Sequence, residues 1–331
     1  MLEVQFGINV GAVSSQQVFR QLVRRADALG YDVFAAPDHL GGLAPFAALS
    51  AAGMISERLR LRTYVLNTGF WNPALLAREV ATLDVLSQGR AELGFGAGHM
   101  KSEHEDARLP WLPLKARVQA LEEMVLEVRR RLADEAHRPQ PVQQPVPLMV
   151  GAMSNPALSV AARHAEMVGF AGLRQVKGAP AGTFTVCSAA ETATRVDEVR
   201  RQAGGRPYRS DVLLQRVVIG RDPEDAAAEI VASASGRLTV EQLLDTPFVL
   251  LAQDVSQAVK ELLPTPRSRP HPPAHLPLHG HMDPCAPSDP SIQRHMDACA
   301  PSSPSGRRRQ KGETGPTPAP SGYAWATACL M

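Results

Sequence analysis

The sequence predicts an α/β protein built on a parallel sheet, and three observations carry that expectation. Apolar strands alternate with amphipathic helices seven times. These units fill about the first 263 of 331 residues, and a chain that is 44% hydrophobic and 21% charged has an ordinary globular composition. About 250 residues is the usual size of an eight-unit (β/α)8, or TIM, barrel, and a doubly wound open sheet is the competing architecture.

The elements follow in order. Residues 4–10 alternate apolar and other side chains as a first strand. A helix over 15–29 puts Val18, Phe19, Leu22, Val23, Ala26 and Leu29 on one face, and Gly30 closes it. Residues 33–36 form a short apolar strand and 45–55 a helix. A third strand, 59–66, is rich in Leu, Arg and Val. Asn72 before Pro73 places an N-cap ahead of a proline at the first helical position, opening a helix that reaches Leu86. Residues 91–96 are a fourth strand and 118–132 a long helix. Strands at 147–151, 167–171 and 211–219 are each followed by a helical stretch, at 156–164, 189–202 and 223–234.

Composition breaks sharply near Pro264. Residues 264–331 hold 14 of the 28 prolines, three of the four cysteines and half of the ten histidines. The expected organisation is a barrel domain over 1–263 and a Pro-rich disordered tail over 264–331. The tail carries two near-copies, at 281–288 and 295–302, whose H-x3-C spacing matches no structural zinc pattern, so no metal site is expected. The body has a single cysteine, Cys187, which gives no disulfide framework and fits a reducing cytoplasm. No basic and apolar leader, no membrane-length apolar run and a net charge of only +2 point away from secretion, membrane insertion and nucleic acid.

The run Gly94-Phe95-Gly96-Ala97-Gly98 invites a dinucleotide reading, but its spacing is GxGxG rather than GxGxxG, and no helix is expected directly after it. Several segments instead carry a family resemblance when taken together and in order. They are residues 35–40 (AAPDHL), 63–68 (TYVLNT), 73–90 (PALLAREVATLDVLSQGR), 91–98 (AELGFGAG), 147–151 (PLMVG), 161–166 (AARHAE) and 239–251. With these the chain resembles the bacterial-luciferase-like monooxygenase superfamily, in its branch dependent on the deazaflavin coenzyme F420.

That resemblance implies a barrel whose cofactor ring lies at the C-terminal mouth of the strands, where barrel chemistry generally sits. It implies hydride transfer between F420 and a small organic substrate, with an FMN-dependent monooxygenase as the alternative. His39, after the second strand, is the expected proton donor or acceptor, and Asp38 is expected to fix its tautomer. Tyr64 and Val65 align with a non-proline cis peptide that forms a bulge behind the ring, and Leu66 and Asn67 continue that loop. Gly96 and Gly98 would let the backbone approach the cofactor, or simply relieve tight strand-end geometry. His99, expected among the cofactor-binding residues and a second acid/base candidate, stands where related sugar-phosphate dehydrogenases carry a glutamate acid, so their substrate is not carried over. Gly151 and Ala152 precede a helix whose N-terminus would meet the cofactor phosphate, although Ala152 replaces a frequent glycine. A homodimer is a further expectation.

Resembling enzymes continue past residue 263 into an eighth strand and a final helix, whereas this chain switches to proline-rich sequence. A changed reading frame near Pro264 would leave a barrel without its closing unit, with exposed edges on its first and seventh strands. An inactive cofactor-binding remnant is therefore a third functional reading.

Overall fold

The computed structural model describes residues 4–179, 183–233 and 238–262, together with two-residue strands at Gly280–His281 and Thr327–Ala328 that pair antiparallel. The expectations for the tail otherwise lie outside the described residues.

Strands and helices alternate in the expected order. β1 (Gly7–Asn9), α1 (Gln16–Ala28), β2 (Val33–Ala36), α2 (Pro45–Gly53), β3 (Arg60–Thr63) and β4 (Leu66–Asn67) lead to α3 (Pro73–Leu86) and β5 (Ala91–Gly96). They are followed by α4 (Lys101–Asp106), α5 (Leu114–Leu132), β6 (Leu148–Ala152), α6 (Asn155–His164) and β7 (Met167–Phe170). A hairpin, β8 (Leu173–Gln175) and β9 (Phe184–Val186), precedes α7 (Ala189–Ala203) and β10 (Arg209–Val212). Last come β11 (Arg216–Ile219), α8 (Pro223–Ser233), α9 (Val240–Asp245), β12 (Val249–Ala252) and α10 (Val255–Leu262).

The main sheet runs β1-β2-β3-β5-β6-β7-β10, with β4 also on β5, and all its pairings are parallel. Among the described residues β1 and β10 each have one partner strand. The sheet is curled. β3 and β10 stand four strand positions apart, about 19 Å along a flat sheet. Yet Arg62 Nη1 donates to Asp211 Oδ2 at 2.5 Å, a contact only an inward-rolled sheet permits.

Alternation along each strand sorts the two faces. Ile8, Phe34, Leu61, Leu93, Val150 and Val168 face outward into a core shared with the helices. Val33, Ala35, Tyr64, Met149 and Met167 form a smaller interior cluster. The helices begin as their caps dictate: Asn72 Oδ1 accepts from the Ala74 and Leu75 N–H groups, and Ser188 with Glu191 closes a capping box.

One expected strand is two. The run 211–219 divides around Leu213–Gln215 because its partner changes: β10 pairs with β7, whereas β11 pairs with β12 in a separate parallel sheet. The Gln215 N–H already donates to the Phe248 carbonyl at 2.6 Å. The α4 helix and the β8–β9 hairpin were not expected.

Candidate active site

The loops after the strands gather at one rim. β2 is an apolar run buried on both faces, as a parallel interior strand should be, and it delivers Asp38 and His39 to that rim. Asp38 Oδ2 accepts from the Asn67 N–H at 3.1 Å and from Trp71 Nε1–H at 2.8 Å. Burial raises the Asp38 carboxyl above its ordinary range, against the opposing pull of those two bonds. Asp38 therefore ties the β2 loop to β4. The carboxylate that holds the His39 ring is Glu103, whose Oε1 accepts from Nδ1 at 2.7 Å.

The third strand is interrupted where the resemblance implied. Leu61 and Arg62 pair with Ala91 and Glu92, but Leu66 and Asn67 pair with Phe95 and Gly96. The offset changes by one residue, so one extra residue bulges within 63–65. The Tyr64–Val65 peptide inside this bulge is cis. Val65 packs on two glycines. A Cβ on Gly96 would lie 2.7 Å from Val65 Cγ2, and one on Gly151 would lie 2.9 Å from Val65 Cγ1. Both glycines are thus required by the protein's own bulge.

Asn67 is fixed from three sides. Its Oδ1 accepts from the Gly69 N–H at 3.1 Å, and Nδ2 lies 3.1 Å from His104 Nε2. His104 Nδ1 lies 3.0 Å from the Pro110 carbonyl, which can only accept. His104 is therefore an Nδ1–H tautomer whose Nε2 accepts from Asn67. Gly98 has φ +73°, and a Cβ there would meet Asn67 Oδ1 at 2.5 Å, so glycine is needed twice over.

His99 completes the rim. Its ring lies edge-on to His39 with centroids 5.2 Å apart, and Phe184 of β9 also packs edge-on against it at 5.6 Å. Burial, then the nearby His39, drives the His99 imidazole down to about 4, so it is neutral at physiological pH. Arg117 spans from the start of α5 to the Gly98 carbonyl while its guanidinium covers Trp111 at 3.9 Å.

Ala152 ends β6, and α6 opens at Asn155 with Pro156 in its first turn and no side-chain bond from its Ser154 cap. These residues lie at the same sheet end as His39. Leu66 is buried in the outer core. Of the expected site residues, the structure links His39 to His99 by ring contact and Asp38 to Asn67 by a hydrogen bond. It seats Val65 between Gly96 and Gly151.

Two features were missed. Asn9, the last residue of β1, is 6% exposed, and its Oδ1 has no hydrogen-bond partner among the described residues. Its neighbours Ile8 and Val10 face outward, so alternation turns Asn9 inward. Beneath the rim lies a charged interior. Arg62 (0% exposed) donates through Nε to Glu92 Oε2 at 2.6 Å and through Nη1 to Asp211, while Tyr64 Oη donates to Asp211 Oδ1 at 2.8 Å. Burial alone would raise the Glu92 carboxyl, but Arg62, Arg60 and Arg209 outweigh it and hold it at about 2. The alternation Arg60-Leu61-Arg62 opposite Glu92 was the available signal.

A curled parallel α/β sheet with imidazoles, a bulge and an amide oxygen unpaired among the described residues at its C-terminal rim defines a barrel scaffold whose chemistry belongs on the loops after its strands. The luciferase-like monooxygenase family model matches residues 5–264, and the chain belongs to that family. An F420-dependent glucose-6-phosphate dehydrogenase from Segniliparus rotundus is 31% identical over 246 residues, 66% of this chain and 70% of that one. Another enzyme of that name, from Intrasporangium calvum, is 38% identical over 39% of this chain and 43% of its own length. An FMNH2-dependent dimethylsulfone monooxygenase from Pseudomonas putida is 27% identical over 54% of this chain and 50% of its own. The chain thus spans half or less of those last two relatives. Among solved structures, an F420-dependent secondary alcohol dehydrogenase bound to an F420–acetone adduct superposes with a TM-score of 0.62 at 16% identity. That match covers 78% of this chain and 88% of the other, and it bears on the fold alone. No helix among the described residues is long and apolar enough to cross a membrane.

Proposed function

We propose that this protein is an oxidoreductase that uses coenzyme F420 to move a hydride to or from a small organic substrate. One observation supports this most: His39 stands at the rim with its side chain 40% exposed, Nδ1 engaged by Glu103 and Nε2 without a hydrogen-bond partner among the described residues. The identity to F420-dependent enzymes supports the choice of cofactor.

The residues fit a flat heterocycle. Asn9 offers a buried, unpartnered amide oxygen to an N–H edge, and Val65, propped on Gly96 and Gly151, offers an apolar surface. Tyr64, Asn67 and Gly98 would frame the remainder, whereas the Leu66 and Ala152 side chains pack into the outer core. When bound, the deazaflavin supplies the hydride acceptor or donor. His39 Nε2 takes the proton from a substrate hydroxyl as the adjacent carbon gives up its hydride, and returns it in the reverse direction. His99, neutral and ring-packed against His39 and Phe184, offers no carboxylate acid, so the substrate of the sugar-phosphate enzymes is not assigned here.

The second reading is an FMN-dependent monooxygenase, favoured by the Pseudomonas putida relative. Titration of the full-length chain with F420 and with FMN, followed by fluorescence quenching, separates the two. Saturable quenching of F420 at micromolar concentration with weaker FMN binding supports the proposal, and the opposite order defeats it. Tight F420 binding with no turnover on any alcohol or carbonyl compound would instead indicate a cofactor-binding remnant. We further propose that residues 1–263 form the catalytic unit and 264–331 a separate tail.

A further inference from the structure

We propose that Glu103 is the positioning residue for His39: it fixes the ring as the Nδ1–H tautomer and aims the lone pair of Nε2 at the substrate. This rests on the proposed role of His39 and names the group behind it. The two residues are 64 positions apart in sequence, and neither is placed there by the other's local structure. His39 follows β2, while Glu103 lies in the first turn of α4.

An ionised carboxylate can only accept, so the 2.7 Å contact requires the proton on Nδ1. Nε2 is then the unprotonated nitrogen. A free imidazole would leave the proton distributed between the two positions, and a ring free to flip would present the wrong atom half the time. Glu103 removes both losses, and its side chain, at 12% exposed, is more buried than the ring it orients, at 40%. His99 packs edge-on against the ring at 5.2 Å and 85°, a contact that restrains the ring plane without competing for either proton. Asp38, adjacent in sequence, is engaged by Trp71 and Asn67.

Proton balance is complete in this arrangement. In substrate oxidation the O–H bond would break and an N–H bond form at Nε2, and a bound deazaflavin would supply the acceptor for the hydride released from carbon. The resulting imidazolium keeps its Nδ1–H bond to the Glu103 carboxylate, so the new charge forms beside a negative group.

Nitrogen NMR of the full-length protein labelled at its histidine rings tests this without cofactor, with H39Q locating the signal. At a pH where the ring is neutral, wild-type His39 is expected as a single Nδ1–H tautomer, and E103A is expected to show the mixture typical of a free imidazole. An Nε2–H ring in the wild type, or an unchanged ring in a folded E103A, overturns the proposal. Should E103A fail to fold, the wild-type spectrum still decides. In turnover, E103A is expected to lose about 10- to 100-fold in kcat, by analogy with the loss when the outer partner of a metal-ligating histidine is removed, with cofactor affinity unchanged. Absence of turnover in wild type together with the expected tautomers would defeat the oxidoreductase reading and leave the positioning role intact.

Discussion

Arg62 and Asp211 meet across the barrel interior at 2.5 Å, joining the third strand position to the last strand of the main sheet. Both are essentially inaccessible to solvent. The pair ties together strands that share no backbone ladder, directly under the Tyr64–Val65 bulge, and Tyr64 itself donates to Asp211.

Breaking this tie removes the acceptor of two buried donors, Arg62 Nη1 and Tyr64 Oη, while Glu92 still neutralises the guanidinium. D211A is expected to destabilise the fold by about 1–3 kcal/mol, the usual cost of taking away the partner of a buried polar group. Urea unfolding measures it. A change within about 0.5 kcal/mol, the range of ordinary surface substitutions, would show that the interior cluster is not structural.

Glu92 should make stability depend on acid. Its folded-state carboxyl is held at about 2, below the ordinary 4.5. Its contribution is therefore fully present above the ordinary value and is lost as pH falls through about 2. E92Q should be less stable than wild type at neutral pH, with the gap narrowing as pH drops through this window. Chemical denaturation at stepped pH reads the difference, and a constant gap would contradict the assignment.

Asn9 carries a conflict between stability and binding. A buried unpaired amide costs about 1–3 kcal/mol, so N9L is expected to raise the Tm of the cofactor-free protein. The same change removes the acceptor offered to the heterocycle, and F420 affinity should fall about tenfold. A lowered Tm with unchanged affinity would show that Asn9 is satisfied some other way and plays no part in binding.

Local signals were legible where they depend on neighbours in sequence. Asn72–Pro73 fixes where α3 starts, and the apolar runs of β2 and β6 announce a parallel sheet. The family resemblance pointed to Tyr64–Val65, and the structure has a cis peptide there. Tertiary choices were not legible. Nothing local marks the switch of partner from β7 to β12 within 213–215, so one strand was expected where two form. Glu103 sits in a short polar helix without apolar periodicity, and its meeting with His39 depends on how two loops converge. Asp38, the nearer carboxylate in sequence, was therefore the expected partner of the ring, whereas the Nδ1 contact is made with Glu103.

The most direct test compares wild type and H39A for F420 binding and for hydride transfer in a single turnover, followed by the change in deazaflavin absorbance with a panel of simple alcohols and carbonyl compounds. The expected result is comparable cofactor affinity and a transfer rate lower by about 10²–10⁴-fold in the variant, the contribution of a positioned acid–base group. Equal transfer rates in the two proteins would contradict the role assigned to the rim histidine.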